Sequence, residues 1–465
     1  MNTITPNLNS LSDVPLYVQL YEYLKHEILD NRIAPDEKLP SIRGLSKSLN
    51  LSKTTVESSY DQLLVEGYIY SKPQSGYYTN AISKGTTVAS KHQNSNLEMS
   101  FKPDIAQKNF TDVSSFDFVK WKKCLNQVLT NHMDSLLVEA APPGERALRN
   151  EIAKYVYQSR GAVCTLDQIV IGAGTQQIMN LLCVILEKMN ITHTAFEDPG
   201  YYPARKIFSD RGYNIYPVSI EKDGINIKEL RSSMCSLVYV SPSHQFPLGS
   251  VMSISKRYEL LEWAYDTNGI IIEDDYDSEL RYFGRPIPSL QGLDRKNSVI
   301  YLGSFSTTLL PSIKISYIIL PEKILKYYKK NLMNNYNQTC SKIEQLTLAL
   351  YMNEGFYQKQ IKKLRKLYTN KVQLLVDCIQ KEMQGLVKVL SHTSGLHILL
   401  EVHTKKTVEK LCEEAATLKL DAVPIEKYSI RKKEKGSPII LLYYTQIPLS
   451  DIPLAVHQLK NIWDK

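Results

Sequence analysis

The sequence predicts two folded units of different class: a small helical one that closes with a β-hairpin, and a large α/β one with a largely parallel sheet. Three observations carry this. A chain of 465 residues exceeds what one hydrophobic core usually serves. Three short helical patterns crowd the first seventy residues. Beyond a polar stretch, apolar β-type runs recur with helical stretches between several of them, the signature of an α/β layer structure.

Leu16, Leu20, Leu24 and Ile28 stand four apart within residues 15–31, which is one apolar stripe on a helix, and Pro35 lies beyond its end. Two more helices are predicted over Ser41 to Leu49 and Lys53 to Glu66, split by the turn Asn50-Leu51-Ser52, with Ser41 and Ser52 as N-caps. That is a helix-turn-helix rhythm. Gly67 ends the third helix, and Tyr68-Ile69-Tyr70 and Tyr77-Tyr78-Thr79 flank a turn containing Pro73 and Gly76, so a hairpin follows. From Asn80 to about Ser100 the chain turns to Ser, Thr, Asn, Lys and Gln, which cannot hold a core. The expected organisation is a first unit over 1–80, a linker over 81–100 and a large unit over 101–465, with a smaller α+β subdomain over about 335–465. Strands of the large unit are read at Gln168 to Ile171, Leu237 to Val240, Gly269 to Ile272, Val299 to Leu302 and Tyr317 to Leu320.

Hydrophobic residues at 43% and charged residues at 22% are an ordinary globular composition. No run approaches eighteen uncharged apolar residues and the N-terminus is polar, so the expectation is a cytoplasmic protein without membrane contact. Seven scattered cysteines, never in a C-x-x-C pair, read as reduced core thiols rather than metal ligands. The net charge of +8 invites nucleic acid, yet residues 1–80 hold seven Lys/Arg against nine Asp/Glu. Any DNA contact there must come from local placement of a few cations, not from a general field. The surplus lies in Lys326 to Lys330, Lys362 to Lys366 and Arg431 to Lys435, read as solvated faces or loops.

The run from Leu39-Pro40-Ser41-Ile42-Arg43 through Lys53-Thr54-Thr55-Val56 to Glu66-Gly67-Tyr68-Ile69 resembles the GntR family of winged helix-turn-helix regulators. The resemblance implies a double-stranded DNA operator as partner. A recognition helix beginning at Ser52 would aim Lys53, Thr54 and Thr55 at the major groove, with Ser41 and Arg43 on the helix before it and Gly76 at the wing tip. Many family members carry Arg where this chain has Lys53, which lacks the bidentate grip of a guanidinium on guanine.

The second unit, starting with Pro143-Gly144-Glu145-Arg146-Ala147-Leu148-Arg149, is similar to the fold-type I, pyridoxal-phosphate-dependent aminotransferases, and the two units together resemble the MocR-type subfamily of GntR regulators. Gly172-Ala173-Gly174-Thr175-Gln176-Gln177 follows an apolar strand and opens a helix, so its N–H groups and the Thr175 hydroxyl can cradle a phosphate. Tyr201 after Glu197-Asp198-Pro199-Gly200 matches the ring stacked on the pyridine, and His244 lies in a matching loop, Ser241 to Gly249. In Ile272 to Glu279, Asp274 would pair with the pyridinium nitrogen and Tyr276 with the phenolic oxygen. Ser304 and Ser306 fall in the next matching run.

Thr307 stands where the family places its Schiff-base lysine, and Lys314 where it usually places an arginine on the phosphate. A hydroxyl cannot form an imine or shuttle the α-proton, so the expected protein has no catalytic residue and is a pseudo-aminotransferase that binds pyridoxal phosphate, if at all, non-covalently. No arginine lies in Ile439 to Tyr444, where aminotransferases hold the substrate carboxylate; Arg205 and Arg431 could supply it from loops, though each reads first as a solvated surface residue. The function expected is a homodimeric transcription regulator sensing pyridoxal phosphate, an amino-acid adduct or another small-molecule effector. The alternatives are a divergent pyridoxal-phosphate-dependent aminotransferase and a regulator whose large domain is a cofactor-free dimer scaffold.

Overall fold

The structure, a computed structural model, describes residues 5–10, 12, 14–82, 115–282, 287–431 and 436–464. The chain divides into two compact units, residues 1–102 and 103–465. Of the linker expected over 81–100, all but the first two residues lie outside the described residues, as does most of the basic run after Arg431.

In the first unit, α1 (Leu16–Leu29), α2 (Ile42–Leu49) and α3 (Lys53–Val65) precede a hairpin of β1 (Ile69–Lys72) and β2 (Gly76–Thr79). The four-residue spacing on α1 buries Leu20, Leu24 and Ile28, which pack with Leu45, Val56, Tyr60, Leu63 and Ile69 in one core. Burying each such side chain is worth about 1.5–3 kcal/mol, enough to hold helices too short to form alone. Ser41 and Ser52 cap α2 and α3: their Oγ atoms accept from the N–H groups of Gly44 and Thr55 at 3.1 and 3.0 Å. Asn50 takes the left-handed conformation (φ 55°) that turns the chain between the two helices.

The large unit begins with α4 (Phe118–Asn131), α5 (Met133–Leu136) and α6 (Arg146–Arg160). There follow β3 (Ile169–Ala173), α7 (Gly174–Lys188), β4 (His193–Asp198), α8 (Tyr202–Asp210), β5 (Asn214–Glu221), β6 (Gly224–Ile225), α9 (Ile227–Ser232) and β7 (Leu237–Val240). Then come α10 (Ile254–Thr267), β8 (Ile270–Asp274), α11 (Leu290–Leu293), β9 (Val299–Ser304), β10 (Ile315–Ile319) and α12 (Glu322–Asn331). These strands form one mixed sheet in the order β3-β10-β9-β8-β7-β4-β5-β6. The middle, β9 to β5, is parallel, and β7, β8 and β9 are buried on both faces, which is why they read as continuous apolar runs, whereas β5 is partly exposed; β10 pairs antiparallel with β9 and β3.

The C-terminal part holds α13 (Lys342–Asn353), α14 (Phe356–Glu382), β11 (Val387–Ser391), β12 (His397–Val402), α15 (Val408–Thr417), β13 (Asp421–Pro424), β14 (Ile439–Tyr443) and α16 (Ile452–Trp463). Its four strands make a separate antiparallel sheet, β11-β12-β14-β13, with a core of its own around Leu375, Ile398, Leu400, Leu442 and Trp463. No described helix is long and apolar enough to cross a membrane.

Candidate nucleic-acid interface and ligand site

Packing fixes the exposed edge of the helix-turn-helix. Tyr60, fully buried on α3, donates its hydroxyl to the Pro40 carbonyl at 3.0 Å, and Ser59 donates to Tyr17 at 2.8 Å, so α3 is tied to both preceding helices. Arg43, Lys53 and Thr54 are exposed, and neither cation forms an ion pair with any described residue. Ser52 is held locally, its Oγ within 2.8 and 2.7 Å of the Thr54 and Thr55 hydroxyls. The hairpin tip is Pro73-Gln74-Ser75, and Gly76 is the first residue of β2, paired with Lys72, rather than the tip itself. Among the described residues of this unit, one face therefore offers a guanidinium, an ammonium and the first turn of α3 together, the set that phosphate oxygens and base edges accept.

In the large unit, the C-terminal ends of β3, β4, β7, β8 and β9 deliver the candidate residues to one edge of the sheet, where α/β folds bind ligands. The acidic run after β8 splits by role. Glu273 accepts from the N–H groups of Leu290 and Gln291 at 2.8 and 2.9 Å. Asp275 is engaged by Arg160 at 2.9 Å and by the Tyr301 hydroxyl, and Tyr155 donates to Glu279. Among the described residues, Asp274 is held only by the Tyr239 hydroxyl. Burial, together with the charges of Asp275 and Glu273, raises its carboxyl to about 7. Asp277 touches the Thr307 hydroxyl and is likewise raised to about 7, chiefly by burial.

Around these acids, buried polar atoms lack partners: the Tyr276 hydroxyl, Asp277 Oδ1 and His244 Nδ1. His244 is 2% exposed and pushed down to about 3 by burial and by His397, hence neutral. Its ring lies 5.4 Å from that of Tyr276, and it fits only because Gly395 has no side chain: a Cβ there would be 2.1 Å from His244 Cε1. Tyr201, at the start of α8, packs edge-on against Phe246.

At the neighbouring end, α7 starts at Gly174 (φ 83°) with no side-chain cap, so its first N–H groups are open to an anion. The hydroxyls of Thr175, Ser316 and Ser304 form a chain at 3.4 and 2.9 Å, and the Ser306 N–H meets Ser304 at 3.3 Å. Lys314, exposed and in no ion pair with a described residue, runs beside Gly174, its Cδ 3.7 Å from where a Cβ would stand. Gln176 is exposed on the first turn of α7.

These features fit a phosphorylated pyridine held non-covalently. The uncapped helix start, the hydroxyl chain and Lys314 suit the phosphate, Asp274 the ring nitrogen, and the unpartnered Tyr276 hydroxyl a phenolic oxygen. Arg205 and Arg431 correct the expectation. Arg205 lies on α8 rather than in a loop, is 8% exposed, and donates to the Tyr428 carbonyl at 3.0 Å. Arg431 is occupied by Ser219 and Pro217 at 2.7 Å and by Glu229. Each is committed to tying the 428–431 segment to the large sheet. Sequence reasoning missed Asp277, which its φ of 55° swings back beside Tyr276, and Ser316, which β10 brings to Ser304 from twelve residues away.

A helix-turn-helix unit and an aminotransferase-type α/β unit in one chain define a class of regulator built on an enzyme fold. Residues 16–78 match the model of the bacterial regulatory proteins of the gntR family, and residues 109–422 that of aminotransferase class I and II. The uncharacterized HTH-type transcriptional regulator YdeL of Bacillus subtilis is 40% identical, covering 99% of each chain. The probable rhizopine catabolism regulatory protein MocR of Rhizobium meliloti is 30% identical over 83% of this chain and 82% of its own. Among solved structures, an archaeal alanine:glyoxylate aminotransferase matches with a TM-score of 0.68 at 22% identity, over 76% of this chain and 89% of that one. The chain belongs to the MocR-type HTH transcriptional regulators of the GntR family, with an aminotransferase-like domain of fold type I.

Proposed function

We propose that this regulator reads a duplex operator through Arg43, Lys53, Thr54 and Thr55, with Ser41 and Ser52 setting the helices and Gly76 the wing. The aminotransferase-like unit acts as a sensor that holds pyridoxal phosphate or a related small molecule without a covalent bond and without turnover. The observation that carries this reading is Thr307, a hydroxyl where the family resemblance expects the reactive amine, beside Asp277 and close in sequence to Ser304. When bound, the cofactor supplies a polarisable pyridine ring. The chain's own residues then bind and orient: Thr175, Ser304 and Lys314 the phosphate, Asp274 the ring N–H, Tyr276 and His244 the oxygen edge, and Tyr201 the ring face. Thr307 itself cannot take a proton from substrate carbon, because a hydroxyl is not basic at neutral pH.

Exposed Phe118, Val119, Met133, Leu137 and Val138, at the start of the large unit, support a homodimer, and a regulator that reads an operator acts in the cytoplasm. The test is fluorescence anisotropy of duplex DNA from the gene's own upstream region with the full chain, with and without pyridoxal phosphate, at several salt concentrations. The expected result is binding that weakens steeply with salt and changes with the ligand. Absence of duplex binding overturns the regulator reading. Transamination of common amino donors makes the protein a divergent enzyme, and DNA binding indifferent to the ligand makes the large unit a scaffold.

A further inference from the structure

We propose that the ligand site selects the amine form of the cofactor, pyridoxamine phosphate, over the aldehyde form, and that Asp277 is the residue that takes the ammonium group. This rests on the cofactor reading above and adds which form is held and by what. Asp277 is 4% exposed, and its Oδ1 has no partner. It lies against the Thr307 hydroxyl, which on the reading above takes the place of the lysine that would reach the cofactor's exocyclic carbon.

The groups facing Asp277 are Asp274 and Glu279 and the phenols of Tyr201, Tyr276, Tyr282 and Tyr443, with Tyr444 beyond. All are acids or hydroxyls. Among the described residues no Lys, Arg or His forms an ion pair with either Asp274 or Asp277, whereas the adjacent Asp275 has Arg160. His244, the nearest candidate base on the Ser241–Gly249 loop, is buried and uncharged, and its Nδ1 is also unpartnered.

Two buried carboxyls that no described cation pairs with are completed by a ligand carrying two positive groups. A pyridinium N–H answers Asp274. The second positive group must sit at the exocyclic carbon, next to Thr307 and Asp277. An aldehyde oxygen placed there is an acceptor that can bond only to hydroxyls and faces a carboxylate; an ammonium offers three N–H donors to Asp277, Thr307 and the surrounding phenols and adds a charge pair with Asp277. With a lysine at position 307 the protein would bring that charge itself and favour the aldehyde. Threonine reverses the demand.

The experiment is isothermal titration of the full ligand-free chain with pyridoxamine phosphate and with pyridoxal phosphate, backed by the different absorbance of the two forms. The wild type is expected to bind the amine at least about tenfold more tightly, and Asp277→Asn to remove most of that preference with the aldehyde affected about twofold or less. Thr307→Lys, which does not alter the carboxyl, is expected to invert the order. Equal or tighter binding of the aldehyde by the wild type overturns this inference and leaves the cofactor reading standing. Binding of neither form by the wild type overturns the cofactor reading and this inference with it.

Discussion

Asp277 also predicts how the ligand-free protein responds to pH. Its carboxyl sits at about 7 instead of the ordinary 3.8, because burial beside Glu279 and Asp274 disfavours the charged form. An acid whose folded-state value is raised keeps its proton in the folded chain longer than in the unfolded one. Its stability contribution is complete below the unfolded value and is lost as pH rises through the folded value. At 1.36 kcal/mol per unit, the ionised carboxylate costs about 4 kcal/mol at about pH 8 and roughly 1.5–2 kcal/mol at about pH 5. Asp277→Asn cannot ionise. Relative to wild type, it is therefore expected to gain roughly 2.5 kcal/mol between those pH values, or about 3 °C in melting temperature for a unit of this size. Trp121, Trp263 and Trp463, the chain's three tryptophans, all lie in the large unit, so tryptophan fluorescence during urea unfolding reads this unit selectively. A variant whose difference from wild type is the same at both pH values, or grows more unfavourable as pH rises, refutes the reasoning.

Three further outcomes are expected. Wild-type protein treated with pyridoxal phosphate and borohydride gains no cofactor mass at residue 307, whereas Thr307→Lys with Lys314→Arg gains one reducible adduct, read by mass spectrometry and visible absorbance. Arg43→Ala or Lys53→Ala weakens specific operator binding by about 1–3 kcal/mol if the residue reads a base; if it meets only a phosphate, it instead lowers the salt slope by about 0.9. Arg160→Ala leaves Asp275 buried without its cation, and a loss of about 3–5 kcal/mol in unfolding free energy is expected; a loss under about 1 kcal/mol would show the pair to be dispensable.

Local chemistry was legible in the sequence where it is set by neighbours along the chain. Ser41 and Ser52 announce helix starts because a cap bonds three residues ahead, and the apolar runs announce buried strands because both sheet faces are covered. Thr175 is legible from the phosphate-cradling pattern after an apolar strand and Asp274 from the family resemblance; the structure puts them on the first turn of α7 and at the last residue of β8. What the sequence hid depends on partners far away. The partners that engage the neighbours of Asp274 come from afar: Arg160 and Tyr301 claim Asp275, and the start of α11 claims Glu273. Arg205 and Arg431 read as solvent residues because Tyr428 and Glu229, which occupy them, lie more than two hundred positions away. The antiparallel insertion of β10 between β3 and β9, which supplies Ser316, leaves no trace in apolar periodicity.

The segment from Tyr428 to Arg431 has a mechanical consequence. Asp198 accepts from the N–H groups of Ile430 and Arg431 at 2.7 and 3.0 Å, Gly200 donates to the Tyr428 carbonyl at 3.1 Å, and Arg205 grips the same carbonyl. Those anchors flank Tyr201 on both sides, and the Tyr428 ring packs 4.7 Å from that of Phe246. The side chains of Asp198 and Arg205 and the main-chain N–H of Gly200 thus clasp residues 428–431, beyond β13, to the chain on either side of Tyr201. A shift of the backbone at Tyr201 therefore strains bonds to the segment that follows β13, so this clasp joins the start of α8 to the C-terminal layer at a single point.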